Sequence, residues 1–130
     1  MKYLKMYENY GDDFILGDVI EGYLEAALWS SGEEFDEYSI DDLSDYAREA
    51  ASTDVEIFIA ELKDNGLLDE LRDEMEDSHI GHDLWLTRNG HGAGFWDRNL
   101  DELGEQVSEI CTSYGTVTLY VSDDGKIEID

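Results

Sequence analysis

A chain of 130 residues, 42% hydrophobic with three Trp, eight Tyr and four Phe, has the length and apolar content for one packed domain, which excludes a disordered polymer. Its 34 acids against eight bases give a net charge of -26 and exclude direct binding to nucleic acid or to an anionic membrane face. No apolar run approaches the ~20 residues that cross a bilayer, and a single cysteine, Cys111, excludes an internal disulfide framework.

The charge is unevenly laid out. Residues 12–77 hold 23 acids and three bases (Arg48, Lys63, Arg72), so most of the excess lies in the first part of the chain. There are no prolines and no repeats, which predicts a single α+β domain over 1–130. It divides into an N-terminal segment (1–11), an acidic helical part (12–77) and a hairpin–helix–hairpin part (82–130). Met1–Tyr10 carries two lysines but no apolar core of the signal-peptide kind, and together with the lone thiol this points to a reducing cytoplasm.

In chain order, "DDFILGDVIEGYLEAALWS" predicts an amphipathic helix over 12–30. Phe14, Ile15, Val19, Tyr23, Ala26, Ala27 and Leu28 form its apolar face, and Asp18, Glu21 and Glu25 its polar one. Asp12 and Asp13 suit its positive end. Residues 30–37 are a polar connector. Ser44 is a candidate N-cap for "DYAREAASTDVEIFIAELKDN", with Gly66 as the stop and Tyr46, Ala50, Ile57, Ile59 and Leu62 as the buried side. A shorter helix, "LLDELRDEMED", runs to Asp77. After Gly81 the period changes: "HDLWLTR" alternates and predicts a strand, "NGHGAG" a turn, and "FWDR" the return. "LDELGEQVSEICTSY" is amphipathic again, with Leu100, Leu103, Val107, Ile110 and Cys111 inward; Cys111 reads as a buried structural thiol. "GTVTLYVSDDGKIEID" is the plainest hairpin, turning at Asp-Asp-Gly. The expected architecture is acidic amphipathic helices packed with a small antiparallel sheet of two hairpins joined by a helix.

"GHDLWLTRNGHGAGFWDR" concentrates the chemistry-bearing residues. His79, His82 and His91 with Asp83 or Asp97 include metal-competent side chains, but their spacing matches no established zinc pattern. Gly90, Gly92 and Gly94 could form an oxyanion nest, yet no nucleophile elbow accompanies them, Thr87 has no assignable triad, and no Walker lysine follows. No metal and no cofactor is expected. The favoured reading is structural: Asn89-Gly90 turns a hairpin, Trp85, Phe95 and Trp96 pack one sheet face, and Arg88 and Arg98 find carboxylates.

The same stretch, with "YLEAALWSS", "YSIDDL" and "YGTVTLYVSDDGKI", resembles a widespread family of small acidic proteins of tailed bacteriophages and other mobile elements, over roughly Gly22 to Ile127. The resemblance implies a phage setting and the cytoplasm of a bacterial host; it implies no reaction and no catalytic residue. The chain departs from the family in being richer in Asp and Glu between Ala47 and Asp77.

Carboxylates four residues apart on a helix stand ~5–6 Å apart. Asp69, Asp73 and Asp77 make one such stripe, Glu70 and Glu74 the next, and Asp45, Glu49 and Glu56 a third on the preceding helix, with Asp41 and Asp42 next in line. Such rows match the charge spacing of a nucleic-acid backbone well enough to occupy a cationic channel. The expectation is a non-enzymatic DNA mimic that binds a basic host DNA-binding or DNA-processing protein, of the nuclease, restriction, CRISPR or glycosylase kind. Two rivals stand beside it. One is a metal-assisted or acid–base enzyme using His82, His91 and Asp97; the other is an acidic interaction module, a homodimer through Trp85, Phe95 and Trp96 if they are exposed.

Overall fold

The fold is mixed α and β and mostly helical. The computed structural model describes residues 10–90, 94–95 and 98–130, of which 10–15 as backbone only. Among the described residues five helices follow in order: α1 (Tyr10–Ser30), α2 (Asp45–Asp64), α3 (Leu68–Glu74), α4 (Asp77–Arg88) and α5 (Glu102–Ser113). Two 3-10 turns, Glu33–Phe35 and Ile40–Asp42, join α1 to α2, and an antiparallel pair, β1 (Leu119–Val121) with β2 (Ile127–Ile129), follows α5.

The centre of the molecule is the packing of α1 on α4. Val19, Tyr23, Ala26 and Ala27 are buried as their spacing predicts, joined by Leu16 and Leu24, while Leu28 is half-buried. Phe14, Ile15, Asp12 and Asp13 have side chains outside the described ones. The two helices approach at a distance that only glycine permits. A Cβ at Gly22 would sit 1.9 Å from the Ser78 carbonyl oxygen, and one at Gly81 1.9 Å from that of Val19. Backbone therefore meets backbone at both points.

This helix overturns the strand expected at "HDLWLTR". From Ile80 to Arg88 every residue except His82 is buried. A helix covered on nearly all sides carries apolar or small residues all round, so its 3.6-residue period is lost and Leu84–Trp85–Leu86 mimics an alternation. Asn89-Gly90 caps this helix instead of turning a hairpin. The Asn89 N–H donates to the Trp85 carbonyl at 3.2 Å and the Gly90 N–H to that of Thr87 at 3.2 Å, with Gly90 in the left-handed region at φ +71°. Trp85 accordingly packs inside, edge-on to Tyr23 at 5.3 Å, with its indole N–H donating to Ser30 Oγ at 2.8 Å. Phe95 is buried against Phe58, and its N–H donates to Thr87 Oγ1 at 3.2 Å. Neither side chain forms an exposed sheet face or a dimer surface; Trp96 lies outside the described residues.

α2 starts at Ser44 as expected: its hydroxyl accepts from the Ala47 N–H at 3.0 Å. Its buried face is the expected one only in part: Ile59 and Leu62 point inward as expected, and Ala50 is half-buried. Ala47, Ala51, Val55, Phe58, Ile59 and Leu62 are buried, whereas Tyr46 is 73% and Ile57 47% exposed. Size misled here. Alanines at 47 and 51 let neighbours pack close, and the larger Tyr46 and Ile57 lie on the adjoining stripe. α3 also ends sooner than expected, at Glu74; Met75 is extended (φ -142°, ψ 150°) and Asp77 opens α4.

The second hairpin forms as expected, in the register Leu119↔Ile129, Tyr120↔Glu128 and Val121↔Ile127. At its turn the Asp124 carboxylate accepts from the Ser122 hydroxyl and from the Lys126 N–H, which hold its carboxyl below the ordinary aspartate value. β2 docks at the start of α2. Leu43 bridges Ile127, the Ser44 N–H donates to the Ile127 carbonyl at 3.0 Å, and the Ser44 hydroxyl donates to Glu128. α5 turns Leu103, Val107 and Cys111 inward, with Ile110 and Leu100 half-buried.

Candidate functional site

Exposed carboxylates from α1 and α3 face one another across an open groove of about 1080 Å³. Asp18, Glu21 and Glu25 form the α1 wall, spaced three and four apart and hence on one helix face. Asp69, Asp73 and Glu74 of α3, with Glu76 and Asp77 at the start of α4, form the other. Gly22 and Ser78 also line it, so the close α1–α4 contact is part of the groove. Among the described residues its lining holds eight carboxylates and one guanidinium, that of Arg72.

The expected phosphate-mimic residues fall into separate groups. Asp69, Glu70, Asp73 and Glu74 are exposed on α3, and all but Glu70 line the groove. Asp45 and Glu49 are exposed near the start of α2. About 30 Å of helix, twenty residues at 1.5 Å each, separates that start from the end of α2 that leads into α3. Asp41 lies 3.9 Å from Arg48, and the Asp42 carboxylate accepts from the Ser39 N–H at 2.9 Å in a capping box. Two expected members are corrected. Glu56 is only 8% exposed and cannot present its charge to a partner. Asp77 does not continue the Asp69–Asp73 stripe, because the helix is interrupted at the extended Met75 between α3 and α4. Its carboxylate instead accepts two hydrogen bonds from Arg72, at 3.0 and 3.2 Å. The α1 acids were read from the sequence only as a polar face; their distance in sequence from α3 hid the fact that the two rows form one site.

The arginines lie mostly elsewhere. Arg88 is buried: its guanidinium donates to Asp54 at 3.0 Å, to the Tyr23 hydroxyl at 2.9 Å and to the carbonyls of Tyr114 and Gly115 at 3.1 and 2.9 Å. Arg98 pairs with both oxygens of Asp83, which is 1% exposed. These are the carboxylate partners expected for Arg88 and Arg98. Arg48 donates to the Ile40 carbonyl. Desolvation raises the Tyr23 hydroxyl far above its ordinary value despite Arg88, and burial followed by the Glu61 hydrogen bond does the same for Tyr114.

The loop residues weighed from the sequence are described only in part. His82 stands beside Trp29, ring centroids 5.6 Å apart, with Nδ1 3.7 Å from the Asp83 carboxylate that Arg98 already holds. His79 is exposed on α4; His91, Gly92 and Asp97 lie outside the described residues. Among the described residues no three of the His, Cys, Asp and Glu side chains are grouped to hold a metal ion. Thr87 is buried and accepts the Phe95 N–H. Cys111 is buried, and desolvation pushes its thiol well above the usual cysteine range, which removes the thiolate a nucleophile needs. No helix among the described residues is long and apolar enough to cross a membrane. Compared with family models, curated proteins and solved structures, the chain matches none.

Proposed function

We propose that this chain is a phage-encoded DNA mimic that competes with DNA for the cationic cleft of a host DNA-binding or DNA-processing protein in the bacterial cytoplasm. The groove between α1 and α3, with eight carboxylates and one guanidinium, is the observation that carries this reading. Each row rises ~6 Å per four residues, so two facing rows give roughly one charge per 3 Å, about half the density of duplex DNA. A cleft lined by Lys and Arg gains from such an array through long-range steering and through release of bound ions, and the affinity falls steeply with salt. Asp18, Glu21 and Glu25 join Asp69, Asp73 and Glu74 as the groove contacts; Asp45, Glu49, Asp41 and Asp42 form a second, outlying cluster, and Glu70 flanks the groove.

The test is capture from a bacterial lysate at low salt, with elution first by duplex DNA and then by a salt step. The reading expects a DNA-binding protein released by DNA, and its loss when Asp69, Asp73 and Glu74 are all changed to lysine. Undiminished capture by that triple variant overturns the assignment.

A further inference from the structure

Beside the acidic groove lies a smaller notch of about 380 Å³ that shares Glu25 with it. Leu28, Phe35, Tyr38 and Ile40 give it apolar walls, and Glu25 and Asp36 are exposed acids among its lining residues. Trp29 also lines it and is 71% exposed, unusual for the largest side chain in a protein that buries Trp85. Among the described residues only His82 is stacked near its ring, tilted by 35°, and most of the indole is exposed.

We infer that this notch takes an arginine side chain of the basic partner. The inference rests on the DNA-mimic reading and adds to it a position where the kind of cation matters. Three features of the notch match three features of arginine. Its aliphatic stem suits the Leu28 and Ile40 walls. Its planar guanidinium stacks on an indole face, the strongest of the aromatic cation sites. The same fork reaches a carboxylate with two parallel hydrogen bonds, and Glu25 or Asp36 supplies it. Lysine shares the stem and the charge but not the plane or the fork. The groove proper has little apolar lining, Met75 apart, and binds either cation by charge alone. The notch therefore adds a component that resists salt, because stacking and burial are not screened as exposed charges are.

The probes are octa-arginine and octa-lysine, of equal charge, titrated against the purified protein at low salt and at about 0.15 M. The parent is expected to bind octa-arginine about tenfold more tightly at the higher salt. Trp29→Ala is expected to bring the two peptides within about twofold of each other while leaving octa-lysine binding unchanged. Because acidic surfaces in general favour arginine slightly, the change on removing Trp29 is the deciding quantity. Equal affinities in the parent, or a preference that survives in Trp29→Ala, overturn the inference. Charge reversal of Asp69, Asp73 and Glu74 separates the two readings: it should weaken both peptides alike. If it weakens neither while Trp29→Ala still abolishes the preference, the notch stands and the groove reading fails.

Discussion

Asp83 and Asp73 are the same residue in opposite settings. Asp83 is buried at the heart of α4 and held by both arms of Arg98; Asp73 is exposed on α3, facing other carboxylates across a groove. With eight bases for 34 acids, the chain cannot neutralise most of its surface. Its arginines go where an unpaired charge would cost most: Arg88 on Asp54 in the interior and Arg98 on Asp83. Among the described residues only Arg72 serves the groove, on Asp77 at its edge. The interior is balanced, and the groove is left negative.

That contrast can be broken first at its backbone. Gly81→Ala forces a methyl against the Val19 carbonyl, and the expected loss is on the order of 4 kcal/mol or more, read by denaturant melting. Gly22→Ala should behave alike; melting curves that match the parent would mean that α1 and α4 do not touch as described. Arg88→Met comes next. It strips Asp54 and Tyr23 of their donor, with an expected cost of about 3 kcal/mol.

The third prediction concerns pH. Tyr23 and Tyr114 have hydroxyls raised above the ordinary value of 10.0, so the unfolded chain loses those protons first as pH rises. The unfolded state then binds fewer protons than the folded one. The stability these two tyrosines contribute is therefore full below about pH 10 and falls above it, after a decline from Cys111 that starts near its ordinary value of 9.0. Melting temperature measured across that range should decline, and Tyr23→Phe should flatten the decline; an unchanged slope in that variant would remove Tyr23 from the account.

The exposed side gives smaller effects. Raising salt from about 0.01 to 0.3 M should raise the melting temperature by a few degrees as self-repulsion is screened. Neutralising Asp69, Asp73 and Glu74 as Asn, Asn and Gln should reduce that salt response. Smallest of all, Tyr46→Ser should change stability by no more than about 0.5 kcal/mol, because Tyr46 lies off the packed face of α2.

Much of the fold is legible in the residues where a local rule acts alone. Ser44 caps α2, the inward side of α5 follows its periodicity, and Asp-Asp-Gly turns the hairpin. Two misreadings have physical reasons. α4 is surrounded on nearly all sides, so burial erased the periodicity by which an amphipathic helix is recognised, and Asn-Gly serves a helix end as readily as a hairpin. On α2, the apolar residues at 46, 50 and 57 each stand one position before the buried Ala47, Ala51 and Phe58, and two adjacent apolar positions do not say which of them faces in. Half of the groove was legible, because Asp69 and Asp73 share one short helix. The other half was not, since nothing in the spacing of Asp18, Glu21 and Glu25 says which distant element they will face.

The touching main chains at Gly22 and Gly81 have one more effect. Where two helices are spaced by side chains, a change of rotamer can alter their separation; where peptide groups meet directly, no such slack exists. The floor of the channel that Gly22 and Ser78 line is thus gauged by van der Waals contact between main chains. The separation of the two helices there keeps one value, whatever rotamers the surrounding side chains adopt.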